Sequence, residues 1–409
     1  MNIDRKQVFE GIKVIDFSWV AVGPQTTKVL AEHGATVVRI ESHRRPENLR
    51  TVPPFKDSKP SLDHGAYASS YNTNKYGLAL NLAKPSGQKI ATRLIEWADI
   101  VLESFSPGVM KRLGLDYEVA RRIKPDIIYC STTFQGQYGP HALFGGLGFH
   151  GAALAGFSML TGYTAGEPAP AHTAYLDYIA PWYLVIALIA ALERRRKTGH
   201  GMYIDQAQYE ASVTFLSPAL LDYVVNGRIM SCMGNRDPYA APHGIYPCRG
   251  SDRWVAISVF TDEEWQAFDE AIGNPEWARY PRFGTMLGRK ENEDELDQLV
   301  ASWTINYTAE QVMSLMQSKG VAAGVVNSAE DLFNDPQLKY REHFVYLQQK
   351  VVGYRAYQNE AIKFSKTHQR LWKAGPNIGE DNEYVCKEIL NLTDDDISDL
   401  VAEDVITAE

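Results

Sequence analysis

From Tyr183 to Leu192 every side chain is apolar or aromatic, and charge returns only with Glu193 through Lys197. A helix of that composition is expected to be buried on all sides, so the chain needs a fold in which other layers enclose it. The 409 residues, 45% of them hydrophobic, supply the core for that, and the length predicts two or three domains. One acidic side chain, Asp177, stands at the N-terminal mouth of the run. It precedes Pro181 by about one turn, and proline favours the first turn of a helix, so the carboxylate should lie near the positive end of the helix dipole. A catalytic carboxylate and a simple N-cap both fit that position, and the local pattern leaves both open.

What surrounds this helix follows from the alternation of elements. Gly11–Ser18 reads as a short buried strand, Val20–Pro24 as a turn, Gln25–His33 as a helix closed by Gly34, and Ala35–Glu41 as a second strand. That is a βαβ unit. The alternation continues through strand Leu78–Leu82, helix Pro85–Trp97, strand Asp99–Glu103, strand Asp126–Thr132, strand Met202–Asp205 and helix Gln208–Val225. It predicts an α/β fold with a doubly wound parallel sheet, its ligands beyond the carboxyl ends of the strands. Ser42–Tyr71 reads as a long surface loop, and Phe134–Gly166 as glycine-rich loops with a small-residue helix. Composition shifts at Asn226–Arg228. The expected domains are a large one over residues 1–225, completed by 340–409, and a small α+β one over 226–330. The final residues read as an amphipathic helical tail, lying on the surface or docked on a partner subunit.

Several classes of function are excluded. A net charge of −9 argues against nucleic acid. The longest apolar run is shorter than the ~20 residues of a membrane helix, and Met1–Lys6 lacks an apolar signal region, so no membrane partner is expected and the chain reads as cytoplasmic. Cys130, Cys232, Cys248 and Cys386 are scattered without CxxC spacing, which predicts neither a metal site nor disulfides. Gly23-Pro24 is not GxGxxG, so no nicotinamide or flavin is expected, and GxSxG, HExxH and P-loop motifs are absent. The chemistry left is that of a carboxylate. In a dry pocket it can attack an activated carbonyl or serve as a general acid or base. Arg44, Arg45, Arg50, Lys75 and Arg112, at or near predicted strand ends, are candidates for holding phosphates.

A set of motifs in order carries more than any one of them. Gly11–Phe17, Val22-Gly-Pro24, Leu30–Ala35, Val38–Glu41, Asn74-Lys75, Phe105–Gly108, Arg112–Gly114, Gly136–Pro140, Leu160–Gly162 and Tyr175–Asp177 together resemble the class III CoA-transferase family, from about residue 11 to residue 382. The resemblance implies two interlocked subunits, each with a doubly wound large domain and a small domain. It implies that Asp177 is the nucleophile, passing through an anhydride to an aspartyl-CoA thioester. It also implies that acyl-CoA is a substrate and that no cofactor is tightly bound. By position it places acyl-CoA along Ala21, Val22, Asn74, Lys75, Ser104, Phe105 and Arg112.

Departures from the family pattern bear on the acceptor. Members with a glutamine after the first strand use it on the intermediate, and this chain has Ala21; Ser104 replaces an asparagine and Ser42 a basic residue. The tetraglycine loop of formyl-CoA transferase is replaced by Arg236–Ala241. Gly234–Arg236, Ala241–Cys248 and Asp252–Ile257 look more similar to the benzylsuccinate CoA-transferase subgroup, which activates a bulky carboxylate with succinyl-CoA and can be built from two related subunits. Arg236, Tyr239 and His243 are thus the candidate acceptor residues. Two alternatives are an α-methylacyl-CoA racemase and a structural subunit of a heteromer. In the racemase a histidine precedes an acidic residue. The corresponding positions here are Leu147-Gly148, and His150 comes three residues late. Asp177 itself argues against a purely structural subunit.

Overall fold

The computed structural model describes residues 7–163, 167–170, 173–367 and 369–407. Residues 1–6 and the last three of the glycine-rich stretch, 164–166, both read above from the sequence, lie outside the described residues. The described residues form two compact units.

The larger unit comprises the stretch up to Phe157, residues 171–225 and residues 337–409. Its centre is a six-stranded sheet: β1 (Lys13–Asp16), β2 (Thr36–Glu41), β3 (Tyr76–Ala79), β4 (Ile100–Glu103), β5 (Ile128–Thr133) and β6 (Met202–Ala207). The order is β3-β2-β1-β4-β5-β6 and every neighbouring pair is parallel. Strands this apolar on both faces need helices on both faces. Val14, Val37, Ile100, Ile128 and Cys130 pack on one side against Leu30 and Ala31 of the first helix, Val22–Glu32, and against Leu184, Leu188 and Ala191 of the helix carrying Asp177, Tyr175–Thr198. Ile15, Val38, Leu78, Val101 and Tyr129 point the other way, as alternation along a strand requires, onto the helix Pro85–Trp97 and onto Val405 and Ile406. The doubly wound α/β expectation holds. Strand order reverses between β1 and β4, so the crevice for a ligand lies beyond the carboxyl ends of these two strands.

The smaller unit, Ser158–Pro170 with Asn226–Pro336, has its own core. An antiparallel sheet of β7 (His243–Pro247), β8 (Trp254–Ser258) and β9 (Ala322–Val325) packs Val255 and Ile257 against Trp265 and Phe268 of the helix Asp262–Ala271. All four cysteines are buried free thiols.

Five features differ from the sequence reading. The Asp177 helix is not buried all round: Ile186 is 66% exposed, and Trp182, Tyr183 and Ile189 share the outward face. One face packs on the sheet, and among the described residues the other keeps these side chains partly exposed. At 24 residues, with a mean hydropathy of 1.7 over its apolar window, this helix has the length and composition of a membrane span, which the shorter run Tyr183–Leu192 did not convey. The Ser42–Tyr71 loop contains a helix, Ala66–Tyr71, and the 208–225 helix breaks at Leu216 into Gln208–Phe215 and Ser217–Asn226. The C-terminal tail packs on this chain's own sheet through Leu400, Val405 and Ile406, because those side chains fill the gap beside Leu78 and Leu80.

A buried ionic cluster fixes the turn after β1. The carboxylate of Asp16 receives Lys75 Nζ at 3.0 Å, Thr27 Oγ1 at 2.6 Å and the Ser18 amide at 3.0 Å. Lys75 also donates to Pro24 O and to Asn72 Oδ1, each at 2.8 Å. Arg39 bonds the Ser18 carbonyl and pairs with Asp16, and its Nη2 lies 2.8 Å from Glu47 Oε1 without hydrogen-bond alignment. Glu47 in turn accepts the Val20 amide at 2.9 Å. Val20, β-branched, is held at φ 60°, a conformation such residues avoid. Burial drives the Lys75 pKa down to about 8 against the pull of Asp16. Asp16 is depressed to about 2: burial raises it, and the charges of Lys75 and Arg39 outweigh that. Removing one partner of such a cluster strands the others in the core. Lys75→Ala is therefore expected to cost about 3–5 kcal/mol of stability, measured by urea unfolding.

Candidate active site

A cavity of about 610 Å³ lies at the switch point, and its walls name the elements that build it. The turn after β1 contributes Trp19 to Val22, the loop after β4 contributes Ser104 to Pro107, and the end of β5 contributes Thr133 and Phe134. The two loops are joined across the crevice: Ser104 Oγ accepts the Trp19 amide at 2.8 Å and donates to the Trp19 carbonyl at 3.2 Å. Trp19 and Phe105 meet edge to face at 5.6 Å, and the Arg45 guanidinium sits 5.4 Å from the Trp19 ring centre. The cavity lining includes two cations, the exposed Arg44 and Arg45, and no imidazole.

Asp177 lines the same cavity from the first turn of its helix. The helix starts at Tyr175, one turn earlier than Pro181 implied, so Pro181 falls in the second turn. Proline has no N–H to offer the carbonyl four residues back, which here is that of Asp177. The freed carbonyl takes Gln25 Nε2 from the first helix at 3.2 Å, and this ties the position of Asp177 to the β1 turn. On its other side the carboxylate presses on bare backbone. A Cβ built on Gly148 would stand 2.5 Å from Asp177 Oδ2 and 2.4 Å from the Ala174 Cβ, so only glycine fits. Among the described residues no donor reaches the carboxylate oxygens. Burial alone raises its pKa to about 7, the reverse of what an N-cap bonded to backbone amides would show.

The residues expected from the sequence separate into three groups. Ala21, Val22, Ser104, Phe105 and Asp177 share the cavity wall. Asn74 and Lys75 do not line it: Asn74 bonds the backbone of Arg370, Trp372 and Lys373, and Lys75 is fully buried in the ionic cluster. Arg112 is exposed on the short helix Val109–Arg112, between the lining residues Val109 and Leu113. Arg50 is also structural, bonded to Glu41 at 2.6 Å and to the Pro376 carbonyl at 3.0 Å. Arg236, Tyr239 and His243 belong to the smaller unit. There Arg236 is engaged by Glu293, Asp294 and Asp297, Tyr239 is 68% exposed, and His243 bonds the Asn235 carbonyl. Sequence reasoning missed Trp19, Gly145 to Gly148 and Gln208 as lining residues. An aromatic residue directly after a strand end was the available signal for Trp19.

An open parallel sheet whose switch-point cavity is lined by a desolvated carboxylate without a hydrogen-bond donor and by two arginines defines an α/β protein with a ligand-sized crevice at its switch point. Residues 9–382 match CoA-transferase family III, and the chain belongs to that family of enzymes. It is 30% identical over 397 residues to the succinyl-CoA–D-citramalate CoA-transferase of Chloroflexus aurantiacus, covering 97% of this chain and 98% of that one. It is also 30% identical over 399 residues to the β subunit of the succinyl-CoA–L-malate CoA-transferase of the same organism, covering 97% of each. The crystal structure of a CaiB/BaiF family protein from Brucella suis matches with a TM-score of 0.86 at 29% identity, covering 94% of this chain and 100% of that one.

The raised pKa of Asp177 has a stability counterpart. The folded protein holds this proton up to about pH 7, the unfolded chain only to about 3.8. Stability from this group is therefore present at low pH and lost as pH rises through 7. Asp177→Asn is expected to match the wild type near pH 4 and to melt at a higher temperature above pH 7, followed by calorimetry.

Proposed function

We propose that the protein moves CoA from succinyl-CoA to a bulky, partly apolar carboxylate, with Asp177 as the covalent carrier. The observation that carries the reading is the half-buried carboxylate of Asp177, which stands on the cavity wall without a hydrogen-bond donor, whereas the other carboxylate there, Glu41, is paired with Arg50. A carboxylate stripped of water and hydrogen bonds is a stronger nucleophile than one in solution. Its oxygen adds to the thioester carbonyl of succinyl-CoA, the C–S bond breaks, and CoA leaves as thiolate from a succinyl–aspartyl anhydride. The thiolate attacks the aspartyl carbonyl, giving aspartyl-CoA and free succinate. The acceptor carboxylate then attacks aspartyl-CoA, and the released thiolate attacks the acceptor side of the second anhydride, restoring Asp177. Atoms and charge balance at each step, and no cofactor enters. Water would hydrolyse either anhydride, so the apolar lining by Val22, Phe134 and Leu147 serves the chemistry.

The ends of the substrates follow from charge. Arg44 and Arg45 are the cations on the lining of this cavity, so the CoA phosphates belong at their rim, with Trp19 and Phe105 as flat surfaces beside them. Beside Asp177 the lining supplies no cation for a second carboxylate, which supports an acceptor with an apolar body, as in the benzylsuccinate subgroup, over the short dicarboxylates named in the relatives. Assembly as a homodimer, or as a heteromer with a related subunit, is part of the same reading. The outward apolar face of Trp182, Tyr183, Ile186 and Ile189 supports a second chain covering it. A racemase needs a second base, and the cavity lining holds no histidine; His150 accepts the Leu147 amide through Nδ1 at 3.1 Å.

Hydroxylamine added during turnover with succinyl-CoA is expected to label the peptide carrying Asp177, read by mass spectrometry, and Asp177→Ala turning over at near wild-type rate would sink the assignment. With the carboxylate as the reactive form, kcat/KM is expected to rise with pH and level off above about 7. In a panel of acceptors, aromatic and benzylsuccinate-like carboxylates are expected to outpace malate and oxalate; the opposite order refutes the acceptor and leaves the role of Asp177 standing.

A further inference from the structure

We propose that Asp404, in the C-terminal turn, is a positioning residue for acyl-CoA, acting through Arg44. This rests on the reading of the cavity rim as the phosphate end of the acyl-CoA site. Arg44 is joined to Asp404 edge to edge: Nε donates to Oδ2 at 2.9 Å, and Nη2 lies 2.9 Å from Oδ1. His43 Nε2 meets the same carboxylate at 3.1 Å. A guanidinium carries five N–H donors, and this fork occupies only the Nε/Nη2 edge. The remaining donors are free for an anion while the plane of the group is fixed. Asp404 therefore orients Arg44 without consuming it.

The turn that presents Asp404 is held far more firmly than a surface ion pair requires. Asp404 itself adopts a left-handed conformation, φ 59°. The next two side chains, Val405 and Ile406, are buried at 0% and 2% exposure in the core beneath the sheet. The Val405 carbonyl accepts the Asn81 amide at 2.8 Å, and the Asp404 carbonyl accepts Asn81 Nδ2 at 3.2 Å. Asn81 lines the same cavity as Arg44. Asn382 Nδ2 donates to the Thr407 carbonyl at 2.8 Å on the far side of the turn. The Arg44–Asp404 pair itself is exposed, 65% and 37% for the two side chains, and such pairs contribute little to folding. An anchored turn that delivers a carboxylate to an exposed arginine on the wall of this cavity has a function in binding.

The test uses the full chain with coenzyme A as the probe and isothermal titration calorimetry as the readout, on Asp404→Asn, Arg44→Ala and the double variant. Asp404→Asn is expected to weaken CoA binding roughly five- to tenfold, and Arg44→Ala at least as much. The double variant should bind no more weakly than Arg44→Ala alone, and kcat at saturating succinyl-CoA should stay at the wild-type value for Asp404→Asn. If Arg44→Ala weakens binding while Asp404→Asn leaves it unchanged or tightens it, the role of Asp404 is refuted and the reading of the rim survives. Losses that multiply in the double variant also refute it, because Asp404 then acts through the fold. CoA binding unchanged in Arg44→Ala overturns the phosphate rim and the proposal together.

Discussion

Burying Lys75 against Asp16 is the constraint from which the geometry of the site follows. A lysine taken fully out of water is tolerable only with its proton donors answered, and here all three are, by Asp16, Asn72 and the Pro24 carbonyl. Those three partners sit on β1, on the approach to β3 and in the first turn of the first helix. The cluster therefore sets the exit angle of the chain from β1, and Arg39 and Glu47 complete it by holding Ser18 and Val20. Trp19, Ala21 and Val22 line the cavity only because that turn is held in a conformation Val20 would otherwise leave. A cation that a sequence reader assigns to phosphate thus works one layer deeper, on the loop that forms the wall.

Asp177 is prepared by removal of partners. Desolvation is the one cause that raises its pKa, and two neighbours leave the carboxylate without a donor: Gly148 contributes no side chain and Ala174 only a methyl group. The same proline that leaves the Asp177 carbonyl open allows Gln25 to take it, so Asp177 is fastened through its backbone and left bare at its carboxylate oxygens. Fixed position and poor solvation together are what reactivity at an acyl carbon requires of a weak base.

Much of the sheet was legible because its strands are short apolar runs set between glycine turns and amphipathic helices; Ala35–Glu41 and Pro85–Trp97 were read within a residue of the structure. Asp177 was legible because it breaks an apolar stretch. Pairings distant in sequence were not. Lys75 finds Asp16 across 59 positions and Arg44 finds Asp404 across 360, and no local pattern separates a buried cation from one at a rim. The hairpin of β10 (Phe344–Gln349) and β11 (Gly353–Gln358) escaped for a related reason: its polar glutamines and single glycine turn resemble an irregular loop. The outward face of the Asp177 helix escaped because composition tells how apolar a helix is and not how many neighbours it has.

Val405 and Ile406 complete the hydrophobic layer that Ile15, Val38 and Leu78 begin. During synthesis the first five strands leave the ribosome long before these two side chains, so one layer of the sheet remains unfinished while the smaller unit is being made. Domains generally consolidate as units as they emerge, but this one encloses the other in chain order and closes last. Until then one face of the parallel sheet lacks part of its apolar cover, the kind of transiently exposed surface that makes a folding intermediate prone to aggregate.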